Sequence, residues 1–330
     1  MTECERIIST GVLPSDFLKE EIICDFLVTE KRKKIWAVEL DLLFEFDRIC
    51  RKYDLNYFLS FGALLGAIRH RGVIPWDDDL DVCMKREDYN RFLEIGRKEL
   101  KHPYFMQIPG EDPGYFFSHA MIRNSNTTGT AWGFCYQPFN HGIWLDIFPM
   151  DNCLPEKADE NWERVNYLVM TNSTNMRRSL PYPTERDLER MRLYPERDGK
   201  EVLAELHNIA TQYNNQETEY GVVSTITAYK ANRQTYLWRD VLDTVDYEIY
   251  GHKIKIPRNY DTILKITYGD YMQLPPKEQR GTWHAYAIFE PDVPYKECLD
   301  TIHRNQESEQ KSERKHVPTK GEKGKTDIVE

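Results

Sequence analysis

The chain has 330 residues, 40% hydrophobic and 12% aromatic, which is enough apolar material to bury a sizeable core. Its formal net charge of −10 argues against a broad nucleic-acid-binding surface, which needs clustered lysines and arginines. The seven cysteines are scattered without a CxxC pair, which argues against a zinc site and a disulfide framework and predicts reduced thiols in a cytosolic protein. No stretch approaches about 18 apolar residues and the N-terminus lacks a basic segment, so we expect neither a transmembrane helix nor a signal peptide.

The first elements alternate between helix and strand. Residues 1–30 are predicted to be a short lead-in of extended pieces or a hairpin. Residues 31–54 place apolar side chains at helical spacing, which predicts a helix. The segment LNYFLSF (55–61) predicts a buried strand, and Gly62 ends it and opens a helix that Gly72 is expected to close.

The alternation continues up to residue 154. A second strand is predicted at about 79–84, and an amphipathic helix at 85–101. Residues 103–150 are rich in strand and turn residues, and a further strand is predicted at 142–151. Strands mixed with helices in this order are typical of an α/β or α+β fold.

The remaining chain is predicted to be helical at first. Residues 156–215 follow a helical pattern broken by SLPYPTERD, residues 217–260 mix strands with loops, and residues 260–269 form a short helix capped by Gly269. From residue 303 the chain is charged and nearly free of large apolar residues, which predicts a disordered tail. We therefore divide the chain into a lead-in (1–30), a catalytic core (31–154), a mostly helical region that completes the same domain (155–302) and the tail (303–330).

The segment PWDDDLDV (75–82) places four aspartates in eight residues. Because side chains alternate along a strand, Asp79 and Asp81 should share one face, and Leu80 and Val82 should point to the core. Two carboxylates at this spacing can share a divalent cation. Mg2+ in particular is commonly held by one or two carboxylates together with substrate phosphates.

The neighbouring acids have other predicted roles. Asp77 and Asp78 lie earlier, and we predict that they support or cap the turn. Asp146 lies inside the apolar run GIWLDIFPMD, where an acidic residue needs a partner or a metal, so it is the predicted third carboxylate. Taken alone, an aspartate-rich turn before a strand is more often simply solvated; the pairing with Asp146 favours a site.

The segment SFGALLGAIRHRG indicates a place for phosphate. A helix that follows a glycine presents free backbone N–H groups, which bind anions, and Ser60 could add its hydroxyl beside Gly62. Arg69 and Arg71 at the end of this helix could reach phosphate oxygens. The alternative is an ordinary strand-to-helix turn followed by a polar helix end.

Four motifs follow one another along the chain: Gly62-x-x-x-Gly66, IRHRGVIPWDDDLDV, WLDIFP and LKITYGDYMQLPPKEQRGTWH (264–284). In this order they resemble the LicD family of phosphotransferases, which includes the fukutin-type proteins. The resemblance runs from about residue 40 to 285, although residues 155–235 contain no matching motif. It implies an α+β fold with a polymerase-β-type, nucleotidyltransferase-like mixed sheet, flanked by helices and extended by further helical segments.

The resemblance also implies roles for single residues. Gly62 matches the phosphate-side turn, Asp79 and Asp81 match the metal-binding pair, and Asp146 matches the third carboxylate of a Mg2+ site, with Mn2+ as the alternative ion. The candidates for contacts with the donor's phosphates are polar or basic: Ser60, Gly62, Arg69, Arg71, Arg123, Arg280 and His284. For each arginine a surface role is the alternative, and for the C-terminal motif a purely structural one.

Members of this family move phosphocholine, or a polyol phosphate in the fukutin-type relatives, from a CDP-linked donor to a glycan. We therefore expect a transferase that uses CDP-choline or a similar donor and acts on a hydroxyl of lipopolysaccharide, capsule or teichoic acid. It would work in the cytoplasm, with peripheral contact to the inner face of the membrane. The alternatives are transfer of a nucleoside monophosphate to a small molecule, sugar or protein, and a non-catalytic metal- or sugar-binding protein. The sequence leaves the head group, the acceptor and the oligomeric state open.

Overall fold

The computed structural model describes residues 1–223, 229–281 and 287–315; His284 lies outside these ranges. The described chain is α+β, as the order of elements predicts. Its helices are α1 (Glu3–Ser9), α2 (Glu30–Lys52), α3 (Phe61–His70), α4 (Arg86–Glu99), α5 (Pro155–Arg177), α6 (Glu185–Leu193), α7 (Gly199–Thr211), α8 (Trp238–Val241), α9 (Tyr260–Tyr268) and α10 (Tyr295–Lys315). Short 3-10 turns lie at Trp132–Phe134, Ala231–Arg233 and Lys277–Gln279.

The strands form one branched mixed sheet and three two-stranded pairs. They are β1 (Glu21–Ile23), β2 (Phe26–Val28), β3 (Phe58–Leu59), β4 (Asp81–Lys85), β5 (Tyr104–Gln107), β6 (Ala120–Asn124), β7 (Thr128–Ala131), β8 (Ile143–Cys153), β9 (Tyr220–Val222), β10 (Thr235–Leu237), β11 (Thr244–Ile249), β12 (His252–Pro257) and β13 (Ala287–Glu290). The pairs outside the main sheet are β1–β2, β11–β12 and β7–β13.

Strand β8 is the centre of the sheet. It pairs in parallel with β4 along one edge, and along the other it pairs antiparallel first with β6 and then with β9. Strand β3 continues the sheet beyond β4, β5 beyond β6, and β10 beyond β9. Almost every residue of β8 is buried, as is typical of a strand covered on both faces.

Helix α2 shows how the sequence pattern produces the core. The Thr29 side chain accepts a hydrogen bond from the Arg32 backbone N–H and so caps the helix start. The predicted apolar stripe, which includes Val38, Leu42 and Phe46, is fully buried. Helices α2 and α4 pack against the main sheet, whereas α5 and α7 form a smaller apolar cluster of their own.

Three predicted boundaries differ from the structure. Of the segment predicted as a strand at 55–61, only Phe58–Leu59 forms a strand, and the strand predicted from residue 79 begins at Asp81. Helix α3 ends at His70, and Arg71, not Gly72, takes up the left-handed conformation that terminates it. Gly72 has a different role: a side chain there would overlap the Tyr250 ring, which packs against this turn.

Both chain ends contain more helix than predicted. The lead-in has the expected hairpin, but helix α1 precedes it with Thr2 in a capping box. The tail predicted from residue 303 begins inside α10, whose first part is docked. Leu299 is buried, and His303 stacks on Tyr136 with 4.1 Å between ring centroids. These contacts explain the helix, and residues 316–330 lie outside the described chain.

Candidate active site

The aspartate-rich loop between α3 and β4 is held from behind by helix α2. The Arg32 guanidinium and the Trp36 indole both donate hydrogen bonds to the backbone carbonyl of Asp77, at 2.8 and 3.1 Å. Fixing this carbonyl fixes the path of the chain just before β4. The loop is therefore a rigid part of the fold, in spite of its charge.

The parallel pairing of β4 with β8 assembles the predicted carboxylates. In this register Asp81 lies directly opposite Asp146, and Asp79 precedes the strand on the same side. One carboxylate oxygen from each of Asp79, Asp81 and Asp146 lies within 4.8 Å of the other two. The structure thus brings together the three acids that the sequence analysis proposed as metal ligands.

Asp146 is oriented through both of its carboxylate oxygens. The Trp144 indole N–H donates to Oδ2 at 2.8 Å, and Nε2 of His119 lies 2.8 Å from Oδ1. The His119 ring also packs on Phe148, with centroids 4.2 Å apart. Trp144 could have been anticipated because it is two residues from Asp146 on the same strand face. His119 could not, since it lies in an irregular segment without a pattern.

Asp77 and Asp78 lie in the turn as predicted. Both side chains are buried, whereas a residue that only caps a turn would be exposed to solvent. Together with Asp79 they form a second group of three carboxylates whose oxygens lie within 4.8 Å of one another. A Cβ atom on Gly62 would lie 2.6 Å from Oδ2 of Asp77. Glycine at the start of α3 therefore allows the Asp77 carboxylate to approach the helix N-terminus.

A further acid, Glu39 of α2, lies close to this loop. Its side chain is fully buried, and its Oε2 atom has no hydrogen-bond partner among the described residues. Burial raises the pKa of Glu39 well above its ordinary value, and the charges of Asp79, Asp78 and Asp77 raise it further. Glu39 lies four residues after Ile35, on the apolar face of α2. An acidic residue at such a position is the sequence signal for a buried acid, and it was overlooked.

Burial and mutual repulsion also act on the aspartates. The pKa values of Asp77 and Asp81 are both raised well above the ordinary value, first by loss of solvent and then by the charge of Asp79. The nearby cation, Arg32, is itself largely buried, and this loss of solvent lowers its pKa. Clustered oxygen ligands with excess negative charge are the chemistry that binds Mg2+ or Mn2+, so these residues fit the proposed cation.

Two of the predicted donor-binding arginines pack around the loop. The guanidinium groups of Arg69 and Arg280 lie 6.0 and 5.2 Å from the centre of the Trp76 ring, next to Asp77. Arg69 donates to the carbonyl of Tyr271, and Arg280 to that of Cys24, each at 2.8 Å. These contacts tie the loop to distant segments, and a phosphate contact for either arginine stays a prediction.

The other predicted donor-binding residues lie in different settings. Arg123 is buried and donates to the carbonyl of Gly142 at 2.7 Å, so its guanidinium is used within the fold. Ser60 immediately precedes α3, and its buried hydroxyl has no hydrogen-bond partner among the described residues. The Arg71 side chain is exposed.

Aromatic side chains line the other side of the aspartates. Phe61, at a positive φ of 44°, stacks on Tyr229 with ring centroids 5.5 Å apart. The Tyr229 hydroxyl donates to that of Tyr268 at 3.2 Å. Burial raises the pKa of Tyr229 to about 12, and the charges of Asp81 and Asp77 contribute to that rise. Sequence alone gave no means of choosing these three aromatic residues from the 41 in the chain.

We expect Asp81→Asn to stabilise the metal-free protein by about 1 to 3 kcal/mol at pH 8, because it removes one of three mutually repelling carboxylates. The folded pKa of Asp81 is raised, so the wild-type protein loses stability as the pH rises from about 4, the ordinary carboxyl pKa, through the folded value. The advantage of the variant should therefore be smaller at pH 5 than at pH 8. Denaturant unfolding in EDTA measures the free energy of unfolding of both proteins at each pH. A variant less stable than wild type at pH 8 would contradict the repulsion argument.

Comparisons with known proteins identify a matching family and three relatives of this chain. Residues 54–186 match the family described as LicD/FKTN/FKRP, nucleotidyltransferase domain. A lipopolysaccharide cholinephosphotransferase, LicD of Haemophilus influenzae, is 29% identical over 266 residues, covering 76% of this chain and 94% of that protein. Two uncharacterised proteins, from Rickettsia typhi and Rickettsia prowazekii, are 39% and 43% identical over 71 and 73 residues, less than a quarter of their lengths. Residues 54–186 of this chain thus match the LicD-family domain that its motifs indicated.

Proposed function

We propose that this protein is a phosphotransferase that moves phosphocholine from a CDP-linked donor to a hydroxyl of a cell-surface glycan of the lipopolysaccharide type. The observation that carries the proposal is the convergence of Asp79, Asp81 and Asp146 beside the N-terminus of α3. The similarity to the Haemophilus cholinephosphotransferase extends over most of both chains and supports the head group.

The same three carboxylates would hold Mg2+, or Mn2+ in its place. When bound, such an ion offsets negative charge on the donor's diphosphate and on the departing CMP. The N-terminus of α3, which the Asp77 carboxylate approaches across Gly62, would add a favourable potential for the donor's phosphate oxygens. The buried Ser60 hydroxyl lies at the same helix start and can donate to the same oxygens.

The transfer itself needs one bond to form and one to break. The oxygen of the acceptor hydroxyl attacks the phosphorus that bears choline, the bond from this phosphorus to CMP breaks, and CMP leaves with the electron pair. The hydroxyl proton passes to a carboxylate of the site, and Asp146 is the best-oriented one because His119 and Trp144 fix both of its oxygens. Tyr229, which is only partly buried and stacks on Phe61, would offer aromatic surface beside the aspartates for a quaternary ammonium group.

Product analysis tests this function. Purified protein with Mg2+, CDP-choline and a lipopolysaccharide acceptor should release CMP and leave phosphocholine on the glycan. Absence of CMP release with CDP-choline and equally with CDP-ethanolamine, CDP-glycerol and CDP-ribitol would overturn the proposal.

The second candidate is transfer of a nucleoside monophosphate, because the matching family domain is described as a nucleotidyltransferase domain. The same carboxylates would serve that reaction. It would release pyrophosphate from a nucleoside triphosphate and leave the nucleotide on the acceptor, so the same product analysis separates the two reactions.

We further propose that the protein works on the cytoplasmic side of a membrane. No helix in the described part of the chain is both long and apolar enough to span a bilayer. Contact with a lipid-borne acceptor would then be peripheral. Sedimentation with vesicles that contain the acceptor glycolipid, compared with vesicles that lack it, tests the peripheral contact.

A further inference from the structure

A group of basic side chains lies outside the carboxylate site, where the end of α5 meets α6. We call Arg177, Arg186 and Arg190 the arginine cluster. Arg186 and Arg190 are four residues apart on α6 and therefore share a face of the helix. The charges of Arg177 and Arg186 lie close enough to lower the pKa of Arg190, after burial, which is the largest cause.

The cluster has few hydrogen-bond acceptors in the described part of the chain. Arg177 donates to Asp187 at 3.2 Å, and this carboxylate also serves the capping box at the start of α6. Among the described residues, Arg190 donates to the Ser173 hydroxyl at 3.4 Å and to the Met170 sulfur at 3.7 Å. The Nε atoms of Arg177 and Arg190 are buried without a hydrogen-bond partner among the described residues. Charged groups with so few acceptors are costly to bury, and an anion at the solvent-accessible part of the cluster would offset this cost.

A row of aromatic rings connects the cluster to the carboxylate site. The Arg177 guanidinium lies 4.9 Å from the centre of the Phe134 ring, Phe134 lies 5.1 Å from Phe117, and Phe117 lies 6.1 Å from His119. His119 in turn contacts Asp146. Phe117 and Phe134 are only half-buried, so their rings remain accessible between the two charged groups.

We propose that the arginine cluster binds an anionic group, phosphate or carboxylate, of the acceptor glycan while the rings of Phe117 and Phe134 pack against its sugars. The inference rests on the proposed function, since it assigns the acceptor of the same reaction. A sugar chain lying on this row has its anionic group at the cluster and a hydroxyl at Asp146. Guanidinium groups suit both anions because they donate two parallel hydrogen bonds.

Binding in EDTA, without donor or metal, tests the cluster apart from catalysis. The probes are glucose 6-phosphate, glucuronate and uncharged glucose, titrated by ligand-observed NMR. We expect both anionic sugars to bind wild type more tightly than glucose, and the double variant Arg186→Gln/Arg190→Gln to weaken them about tenfold. Whichever of the two anionic sugars binds more tightly shows whether the cluster prefers a phosphate or a carboxylate.

Arg192→Gln is the matched control, because Arg192 lies on the same helix, is exposed and pairs with Glu185. It should leave binding unchanged, and Arg186→Lys/Arg190→Lys should retain most of it. Unfolding midpoints show whether each variant is folded. Equal binding of anionic sugars by wild type and the folded glutamine variant would overturn the inference, as would equal binding of all three sugars by wild type.

Turnover separates this inference from the proposed function. In the transfer assay, Arg186→Gln/Arg190→Gln should raise the KM for the glycan acceptor about tenfold and leave the KM for the CDP-linked donor unchanged. If CMP release is observed but the acceptor KM does not change, the proposed function stands and the arginine cluster has no part in it. If no CMP release is observed, the binding experiment still decides whether the cluster takes anions.

Discussion

Asp79→Asn and Asp81→Asn should each lower the rate of CMP release by about a thousandfold or more. Each substitution removes one charged oxygen ligand from a site whose proposed cation offsets the charge that develops during transfer, a contribution of several kcal/mol. The overall fold should be retained, because asparagine has nearly the same shape and one source of repulsion is removed. Steady-state kinetics with CDP-choline and acceptor, together with circular dichroism, measures both effects.

Asp88→Asn is the matched control for these variants. Asp88 lies in the first turn of α4 and pairs with Arg91 at 3.2 Å, so it is an aspartate close in sequence but outside the carboxylate group. Its activity should stay within about twofold of wild type. Retained transfer in both the Asp79 and Asp81 variants would show that the carboxylate group is not the reaction centre.

Arg86→Ala should cost about 3 to 5 kcal/mol of stability, because it leaves a buried carboxylate without its counterion. Arg86 contacts both oxygens of Asp151, at 2.8 and 2.6 Å, and the Asp151 side chain is completely buried. The pair joins the start of α4 to β8 one residue beyond the parallel register of β4 with β8. It therefore helps to hold Asp81 opposite Asp146, so activity should also fall.

The exposed pair on the same helix provides the comparison. Arg91→Ala breaks a solvent-exposed contact with Asp88 and should cost less than about 1 kcal/mol. Urea unfolding of both variants tests the difference. Similar free energies of unfolding for Arg86→Ala and Arg91→Ala would show that the buried pair does not hold the strands together.

The sequence predicted the carboxylate site because strand alternation is a local property. The phase of Leu80 and Val82 assigned Asp81 to the open face, and the apolar run around Asp146 marked a second strand. Both inferences needed only neighbouring residues. The convergence of the acids then followed from the resemblance, and the pairing of β4 with β8 accounts for it.

The parts that escaped prediction depend on contacts between distant segments. His119 meets Asp146 only because the chain before β6 folds back over β8. The carbonyl partners of Arg69 and Arg280 belong to segments far away in the chain, and no local pattern could identify them. For the same reason the final helix was missed: its docking residues are sparse, and the charged sequence around them predicts disorder when read alone.

The branched pairing of β8 also bears on how the protein folds. Asp81 and Asp146 become neighbours only through a parallel pairing of strands that are far apart in sequence, and such non-local contacts form slowly. In the unfolded chain each acid is hydrated and distant from the others, so their repulsion raises the free energy of the folded state alone. A divalent cation that binds only the folded site would therefore stabilise the native protein, increasingly as its concentration exceeds its dissociation constant.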